Sequence, residues 1–254
     1  MIEESSLRRT KDLLNLPPIN FVDEYLTMES DQEKFYNDIK KSIKKEFKET
    51  AKKECDKITL KTGNLLSLVT RLRQATSCPE VLTTMNISSC KINRCLDLVE
   101  EITSHNNKVV IMSNFKEPIY TLQKLLKDYN PLVATGDTKD EDIAVDLFQH
   151  DNEHKVFLCT IQKMGTGFTL NRASYMIFID QPWTASSYRQ AYDRIHRIGS
   201  KQPVFIYNLL CENTIDIAVD KIIEKKKELG EYLVDGIESE SNNMLNVLMN
   251  SIDE

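Results

Sequence analysis

Hydrophobic and polar positions change their pattern once along the chain, near residue 90. Beyond that point come short apolar runs, which are VVIM (109–112), PLVA (131–134), VFLC (156–159), YMIFI (175–179) and VFIYNL (204–209). Strands that are apolar throughout are typical of parallel sheets, because both faces of such sheets are buried. Amphipathic segments near residues 116–128, 139–150 and 185–198 separate the runs and predict helices. The alternation predicts an α/β fold with a parallel sheet and right-handed crossovers.

The residues before this change are more polar and predict one strand and two helices. INFVDEYLTM (19–28) alternates well enough for a strand. Residues 30–60 predict a long polar helix, and residues 62–75 predict a more apolar one. In the first helix Lys40, Lys44, Lys48 and Lys52 share one face at i, i+4 spacing. This face is either a solvated helix surface or an arm that contacts phosphates.

Charge and cysteine content narrow the class of protein. A net charge of −6 at pH 7 excludes a generally basic nucleic-acid coat, although it permits a local basic groove. The six cysteines form no CxxC pair, which favours reduced thiols in an intracellular compartment. No apolar run reaches the ~18 residues that a membrane helix needs. We therefore expect no membrane contact, no metal site and a location in the cytoplasm or the nucleus.

The loops at the carboxyl ends of the strands are where parallel sheets carry their functional residues. They read SNF (113–115), TGDT (135–138), TIQKMGTGFTL (160–170) and DQPW (180–183). Gly165 and Gly167 either let a ligand approach the backbone closely or simply form a tight turn. Trp183, the only tryptophan, packs at the edge of the core or stacks on a nucleic-acid base.

The stretch QAYDRIHRIG, which begins at Gln190, carries the strongest chemical signal. On a continuous helix Gln190, Arg194 and Arg197 share one face, and Asp193, four residues from both Arg189 and Arg197, can hold these two in place. Gly199 suits a helix C-terminal cap. Guanidinium groups match phosphate oxygens, so two of them can stabilise charge on a transferred phosphoryl group. A surface helix with local ion pairs is the alternative.

Together with its neighbours, this stretch closely resembles motif VI of the Swi/Snf-type ATPases, a branch of the superfamily-two helicases. Other segments resemble the second motor lobe of that family in the same order, over about residues 7–230. They are LRRTK (7–11), LPP (16–18), LRQATSCPEVL (72–82), SCKINRCLDLVEEI (89–102), KVVIMSNF (108–115), KVFLCTIQKMGTGFTLNRASYMIFID (155–180) and ENTIDIAVDKIIEKKKEL (212–229). The sequence departs from the family pattern at Met164, Thr169 and Ser200.

The resemblance implies a RecA-like parallel sheet with helices on both faces and a division of the chain into four parts. Residues 1–28 would be the entry to the lobe, and residues 29–88 a helical protrusion with its return helix. Residues 89–212 would be the RecA-like second motor lobe with motifs IV to VI. Residues 213–254 would be a brace helix followed by an acidic tail.

The resemblance also assigns site residues. Arg194 and Arg197 match the catalytic motif VI arginines that reach ATP across the lobe interface. The ATP-binding residues would be Gln190, Asp193, Gly165 and Gly167. The DNA-binding residues would be Ser113, Asn114, Thr160 and Trp183 in strand-end loops, with Lys44 and Lys48 on the protrusion.

The sequence contains neither a phosphate-binding loop of the form GxxxxGK[ST] nor a DExH box. We therefore expect ATP and Mg²⁺ to be held mainly by an N-terminal motor lobe absent from this chain, which should be inactive alone. The expected function is the second lobe of an ATP-dependent translocase on double-stranded DNA. The alternative is a non-catalytic module that binds DNA or a partner. The missing phosphate loop disfavours a stand-alone nucleotide enzyme of another class.

Overall fold

The computed structural model describes residues 16–53 and 58–228, with the backbone alone for 47–53, 58–66, 164–166 and 225–228. Within these residues one parallel sheet has the strand order β1-β6-β5-β2-β4-β3. The strands are β1 (Ile19–Leu26), β2 (Val109–Ser113), β3 (Leu132–Ala134), β4 (Val156–Thr160), β5 (Tyr175–Phe178) and β6 (Val204–Cys211). The sheet confirms the predicted α/β class, and each apolar run is a strand.

Seven α-helices accompany the sheet in the described part of the chain. They are α1 (Ser30–Lys53), α2 (Ile58–Ser77), α3 (Cys90–Ser104), α4 (Lys116–Leu125), α5 (Glu141–His150), α6 (Ala185–Tyr192) and α7 (Ile215–Glu228). None of the helices in these residues is long and apolar enough to span a membrane. The two helices predicted before residue 90 are confirmed as α1 and α2.

Helices cover both faces of the sheet, which explains why β2 and β4 are apolar up to their last residues, Ser113 and Thr160. Val110 and Met112 of β2 pack in a core with residues of α5 and α6. Val109 and Ile111 point to the opposite face, where α3 and α4 cover them. Successive side chains of a strand alternate between faces, so both sets of side chains are buried when both faces are covered.

The order of the strands changes side at β2, in the middle of the sheet. β3 and β4 lie on one side of β2, while β5, β6 and β1 lie on the other. Where the strand order changes side in this way, the loops at the carboxyl ends of the two neighbouring strands diverge and leave a crevice. The loops that follow β2 and β5 therefore border the position where a parallel sheet places its ligands.

A third apolar cluster joins α1 and α2 to α7. It contains Tyr36 and Ile43 of α1, Leu72 of α2 and Val219 of α7. The Tyr36 hydroxyl accepts a hydrogen bond from the backbone N–H of Ile215 at 2.8 Å. Burial raises the pKa of this hydroxyl well above its ordinary value. This cluster connects the two helices before the sheet with the helix that follows it.

An ion pair lies fully buried between α3 and α7. The Lys91 ammonium is 2.7 Å from Oδ2 of Asp216 and donates to the carbonyl oxygen of Ile179 at 2.9 Å. Asp216 also accepts from the Thr76 hydroxyl of α2. Burial acts to lower the pKa of Lys91, but the opposing effects, led by the charge of Asp216, raise it above its ordinary value. The pair fastens three helices to the end of β5.

Candidate functional site

The ends of β2 and β4 bring together two of the residues predicted to bind DNA. Ser113 and Thr160 are register partners in the parallel ladder. Both are buried, with 0% and 4% of their surface exposed. At this burial their side chains shape the floor of the crevice. Direct contact of either residue with a ligand remains a prediction.

Asp180, in the loop after β5, holds the loop after β2. Its carboxylate accepts hydrogen bonds from the Ser113 hydroxyl, from the Asn114 backbone N–H at 2.8 Å and from the Asn114 side-chain amide. The same amide donates to the carbonyl oxygen of Gln181 at 2.7 Å. Ser113 and Asn114 therefore use their polar groups to fix two strand-end loops to each other.

Arg73 of α2 contacts the same two loop residues, Asp180 and Gln181. Its Nη2 lies 3.5 Å from Oδ1 of Asp180 and donates to the carbonyl oxygen of Gln181. Its guanidinium carbon lies 4.2 Å from the centre of the Trp183 ring and 6.0 Å from that of Phe115. Burial lowers the pKa of Arg73, and the charges of Asp180 and Asp216 oppose this effect. Trp183 is thus half-buried against a cation.

The predicted helix over 185–198 is wrong at its C-terminal end. It begins as expected, because the Thr184 hydroxyl caps α6 by accepting from the Ser187 N–H. It ends at Tyr192, and the next residues form turns. A tertiary contact takes the place of a further helical turn, because the Arg194 carbonyl, which a continuing helix would offer to Ile198, accepts from the Leu170 N–H at 2.9 Å. Arg194 and Arg197 therefore do not lie on a continuous helical face.

Both arginines are instead held against the segment that follows β4. Arg194 makes the backbone bond to Leu170, and Nη1 of Arg197 donates to the Thr169 hydroxyl at 3.0 Å. Arg194 is half-buried, and its Nε has no hydrogen-bond partner among the described residues. Arg197 is exposed. The structure thus connects both candidate arginines to the segment after β4, Arg194 through its backbone and Arg197 through its side chain.

The remaining candidate ATP-binding residues lie around this junction. Gly167 has a φ of +96° and ends the 3₁₀ turn 161–166, in which Gly165 lies. Gln190 is exposed on α6 and donates to the Ser186 hydroxyl at 3.4 Å. Asp193 caps the end of α6, and its carboxylate lies 3.9 Å from the Arg189 guanidinium. Their role toward ATP stays a prediction.

The candidate lysines lie apart from this cluster in the chain. Lys44 is half-buried on α1, which packs on α2. Lys48 lies in the part of α1 for which the backbone alone is described. The structure therefore leaves the choice between a solvated face and a phosphate-contacting arm open for both residues.

Sequence reasoning misses Arg73 and Asp180 as site residues. Asp180 had a usable signal, because a carboxylate directly follows the apolar run YMIFI at the end of a buried strand. Arg73 had none beyond its place in LRQATSCPEVL, because its partner is 107 residues away. Contacts of this separation follow from topology and not from local pattern.

Gly199→Ala is expected to destabilise the arginine segment. Gly199 has a φ of +101°, and an added Cβ would lie 2.7 Å from Nδ2 of Asn171. That amide donates to the Ile198 carbonyl at 3.2 Å, so moving it breaks a bond. The free energy of unfolding should fall by about 1–3 kcal/mol, measured by urea denaturation. Gly136→Ala is the control, since its Cβ would meet only the flexible end of Lys116 at 3.4 Å. Equal effects of the two changes would contradict this expectation.

The sequence matches one family model and many known proteins. A family model described as the helicase conserved C-terminal domain matches residues 90–199, which include both arginines and the strand-end loops. An uncharacterized ATP-dependent helicase of Mycoplasma genitalium is 29% identical over 230 residues. The match covers 88% of this chain but only 22% of that protein.

Two solved structures share the fold. The C-terminal part of the Fun30 ATPase domain has a TM-score of 0.73 at 20% identity, over 94% of this chain and 99% of that one. The SWI2/SNF2 ATPase core of Sulfolobus solfataricus, solved in complex with double-stranded DNA, has a TM-score of 0.75 at 22% identity. That match covers 97% of this chain and 53% of the other. These likenesses confirm the predicted RecA-like fold.

Proposed function

We propose that this chain is the second, C-terminal motor lobe of a Swi/Snf-type helicase-like ATPase and that it supplies arginine fingers to ATP held by an N-terminal lobe. In this proposal Arg194 and Arg197 contact the phosphates when the two lobes close. Opening and closing then moves the motor along double-stranded DNA.

One observation carries the proposal, which is the joining of both arginines to the loop after β4. Arg194 has a buried guanidinium nitrogen with no hydrogen-bond partner in the described part of the chain, and Arg197, three residues later, is exposed. A buried donor without an acceptor is unfavourable by about 1–3 kcal/mol, so a phosphate oxygen that supplies one is stabilised there. Gly167 adds a backbone position that a side chain does not obstruct.

In this proposal the N-terminal lobe holds most of the contacts to ATP and Mg²⁺, and the present C-terminal lobe contributes part of the DNA-binding surface. The donors present here suit phosphate oxygens, because guanidinium groups bind them in a bidentate manner. The DNA would lie over the loops after β2, β4 and β5, where Asn114 and Trp183 are partly accessible. Lys44 and Lys48 would contact phosphates from α1, while α7 would brace the two lobes.

Mixing this chain with a matched N-terminal motor lobe is expected to create ATP hydrolysis that duplex DNA stimulates. The physical reason is that the phosphate cradle and the arginine fingers lie on different lobes, so neither lobe has a complete site. Phosphate release is measured for each lobe alone and for the mixture, with and without duplex DNA. A fused version of the two lobes controls for weak association.

Absence of activity in both the mixture and the fusion, with binding of duplex DNA retained, would contradict the proposal. It would favour the non-catalytic DNA-binding module instead. Activity of this chain alone would also contradict it, because a complete nucleotide site would then lie within the chain.

A further inference from the structure

The contacts of Arg73 link three parts of the molecule that are distant in sequence. Its side chain is 1% exposed, leaves α2 and touches the loop after β5 at Asp180, Gln181 and Trp183. Asp180 in turn holds the loop after β2 through Asn114. From the other side Gln181 donates to the Asp220 carboxylate of α7 at 2.8 Å. One guanidinium therefore lies between the helices outside the sheet and two strand-end loops.

The hydrogen bonding of this contact is incomplete in a complementary way. Among the residues that the structure describes, Nε and Nη1 of Arg73 are buried donors without a hydrogen-bond partner, and Oε1 of Gln181 is a buried acceptor without one. Native proteins leave few such groups unpaired. The guanidinium therefore has donors left for an acceptor that comes within reach.

We propose that Arg73 is a positioning residue for DNA binding, which acts through Trp183 and couples helix α2 to the loop that meets the DNA. This inference rests on the proposed function, because it presumes that Trp183 contacts DNA. A guanidinium stacked on an indole fixes the plane of the ring by a cation–π contact, which is strongest when water is excluded. Arg73 fixes the backbone of the same loop through the Gln181 carbonyl.

The arrangement explains why an arginine occupies this buried position. The planar guanidinium can lie over the Trp183 ring with its face and donate to the Gln181 carbonyl from its edge. A lysine keeps the charge, but its compact ammonium has no flat face and cannot make both contacts in this way. Burying a charge is unfavourable unless it is well paired, and an apolar residue would fill the space at lower free-energy cost. What the Arg73 guanidinium provides beyond an apolar side chain is its contact with the Trp183 ring and its hydrogen bond to the loop after β5.

The test is a double-mutant cycle on DNA affinity with Arg73→Lys and Trp183→Phe. Affinity of the full chain for a fluorescein-labelled duplex is measured by anisotropy, and folding is checked by thermal unfolding. We expect each single variant to weaken binding by about tenfold, and the double variant to lie within about twofold of the weaker single variant. Arg94→Lys is the matched control, since Arg94 pairs with Glu24 away from these loops, and it should bind as the wild type.

Unchanged affinity in a folded Arg73→Lys variant would overturn the proposal. A loss of affinity in the double variant equal to the product of the two single losses would also overturn it, because the two residues would then act independently. If Arg73→Lys fails to fold, Arg73→Met takes its place in the cycle, because an apolar side chain fills the buried space without an unpaired charge and removes the cation that lies over Trp183. The same non-additivity with Trp183→Phe is then expected.

Failure of the proposed function gives a different result. If the wild-type chain binds no duplex DNA, the positioning role is judged by the fluorescence of Trp183, the only tryptophan in the chain. A change of emission maximum or acrylamide quenching in Arg73→Lys, without one in Arg94→Lys, then supports positioning without DNA binding. An unchanged Trp183 signal would show that Arg73 does not position Trp183, and the positioning role would then fail together with DNA binding.

Discussion

Arg197→Ala is expected to lower kcat for DNA-stimulated ATP hydrolysis by about 10³-fold in the two-lobed motor. An arginine that contacts the transferred phosphoryl group stabilises charge that develops in the transition state, and alanine removes all of that interaction. Arg197 is exposed and its side chain bonds only the Thr169 hydroxyl among the contacts described. Removing it should therefore leave folding intact. The measurement is steady-state phosphate release at saturating DNA.

Arg71→Ala is the matched control for this prediction. Arg71 is also an exposed arginine, but it lies on α2 and pairs with Glu46 of α1 at 3.4 Å. It should hydrolyse ATP as the wild type does. Affinity for duplex DNA should be unchanged in both variants. A variant of Arg197 that loses DNA affinity but keeps kcat would assign this residue to DNA and not to ATP.

The sheet was predictable from the sequence because a strand that is buried on both faces is a continuous run of apolar residues. Runs such as VFLC and YMIFI are apolar throughout, and the structure places both in strands that have a neighbour on each side. The loops that follow them were predictable for the same reason, since a strand ends where polarity begins. Strand order was not, because it depends on which crossovers pack and leaves no local pattern.

The end of α6 shows where periodicity is insufficient. Helical spacing continues through Arg197 in the sequence, yet the carbonyl of Arg194 bonds the Leu170 N–H from another loop. A partner distant in sequence thus removes an acceptor from the helix. That the two arginines act together stays a prediction, which now rests on their contacts with the loop after β4 and not on a shared helical face.

The buried charges were the least predictable part of the site. Arg73, Lys91 and Asp216 read as ordinary surface residues of amphipathic helices, and each is at least 96% buried. Their burial follows from the way α2, α3 and α7 converge on the end of β5. Only the fold brings opposite charges together there, so the pairing is invisible to any local pattern.

Lys91→Met is expected to lower the free energy of unfolding by about 3–5 kcal/mol. Methionine fills a similar volume but leaves the Asp216 carboxylate buried without its cation, and the Ile179 carbonyl without its donor. Breaking one side of a buried pair leaves an uncompensated charge, which is far worse than losing an exposed pair. Lys41→Met is the control, since Lys41 pairs with Asp38 at 3.8 Å on an exposed face and should contribute less than about 1 kcal/mol. Urea denaturation of both variants at pH 7 measures the difference.

The pH dependence of this difference tests its electrostatic origin. The pKa of Lys91 is raised in the folded protein above its ordinary value of 10.5, so folding favours the protonated ammonium. The stabilisation is therefore complete below pH 10.5 and is lost as the pH rises through the folded-state pKa. Wild type and Lys91→Met should converge in stability above that pH, while other titrating groups affect both alike. A gap that stays constant from pH 7 to beyond the folded-state pKa would show that Lys91 stabilises the fold by packing alone.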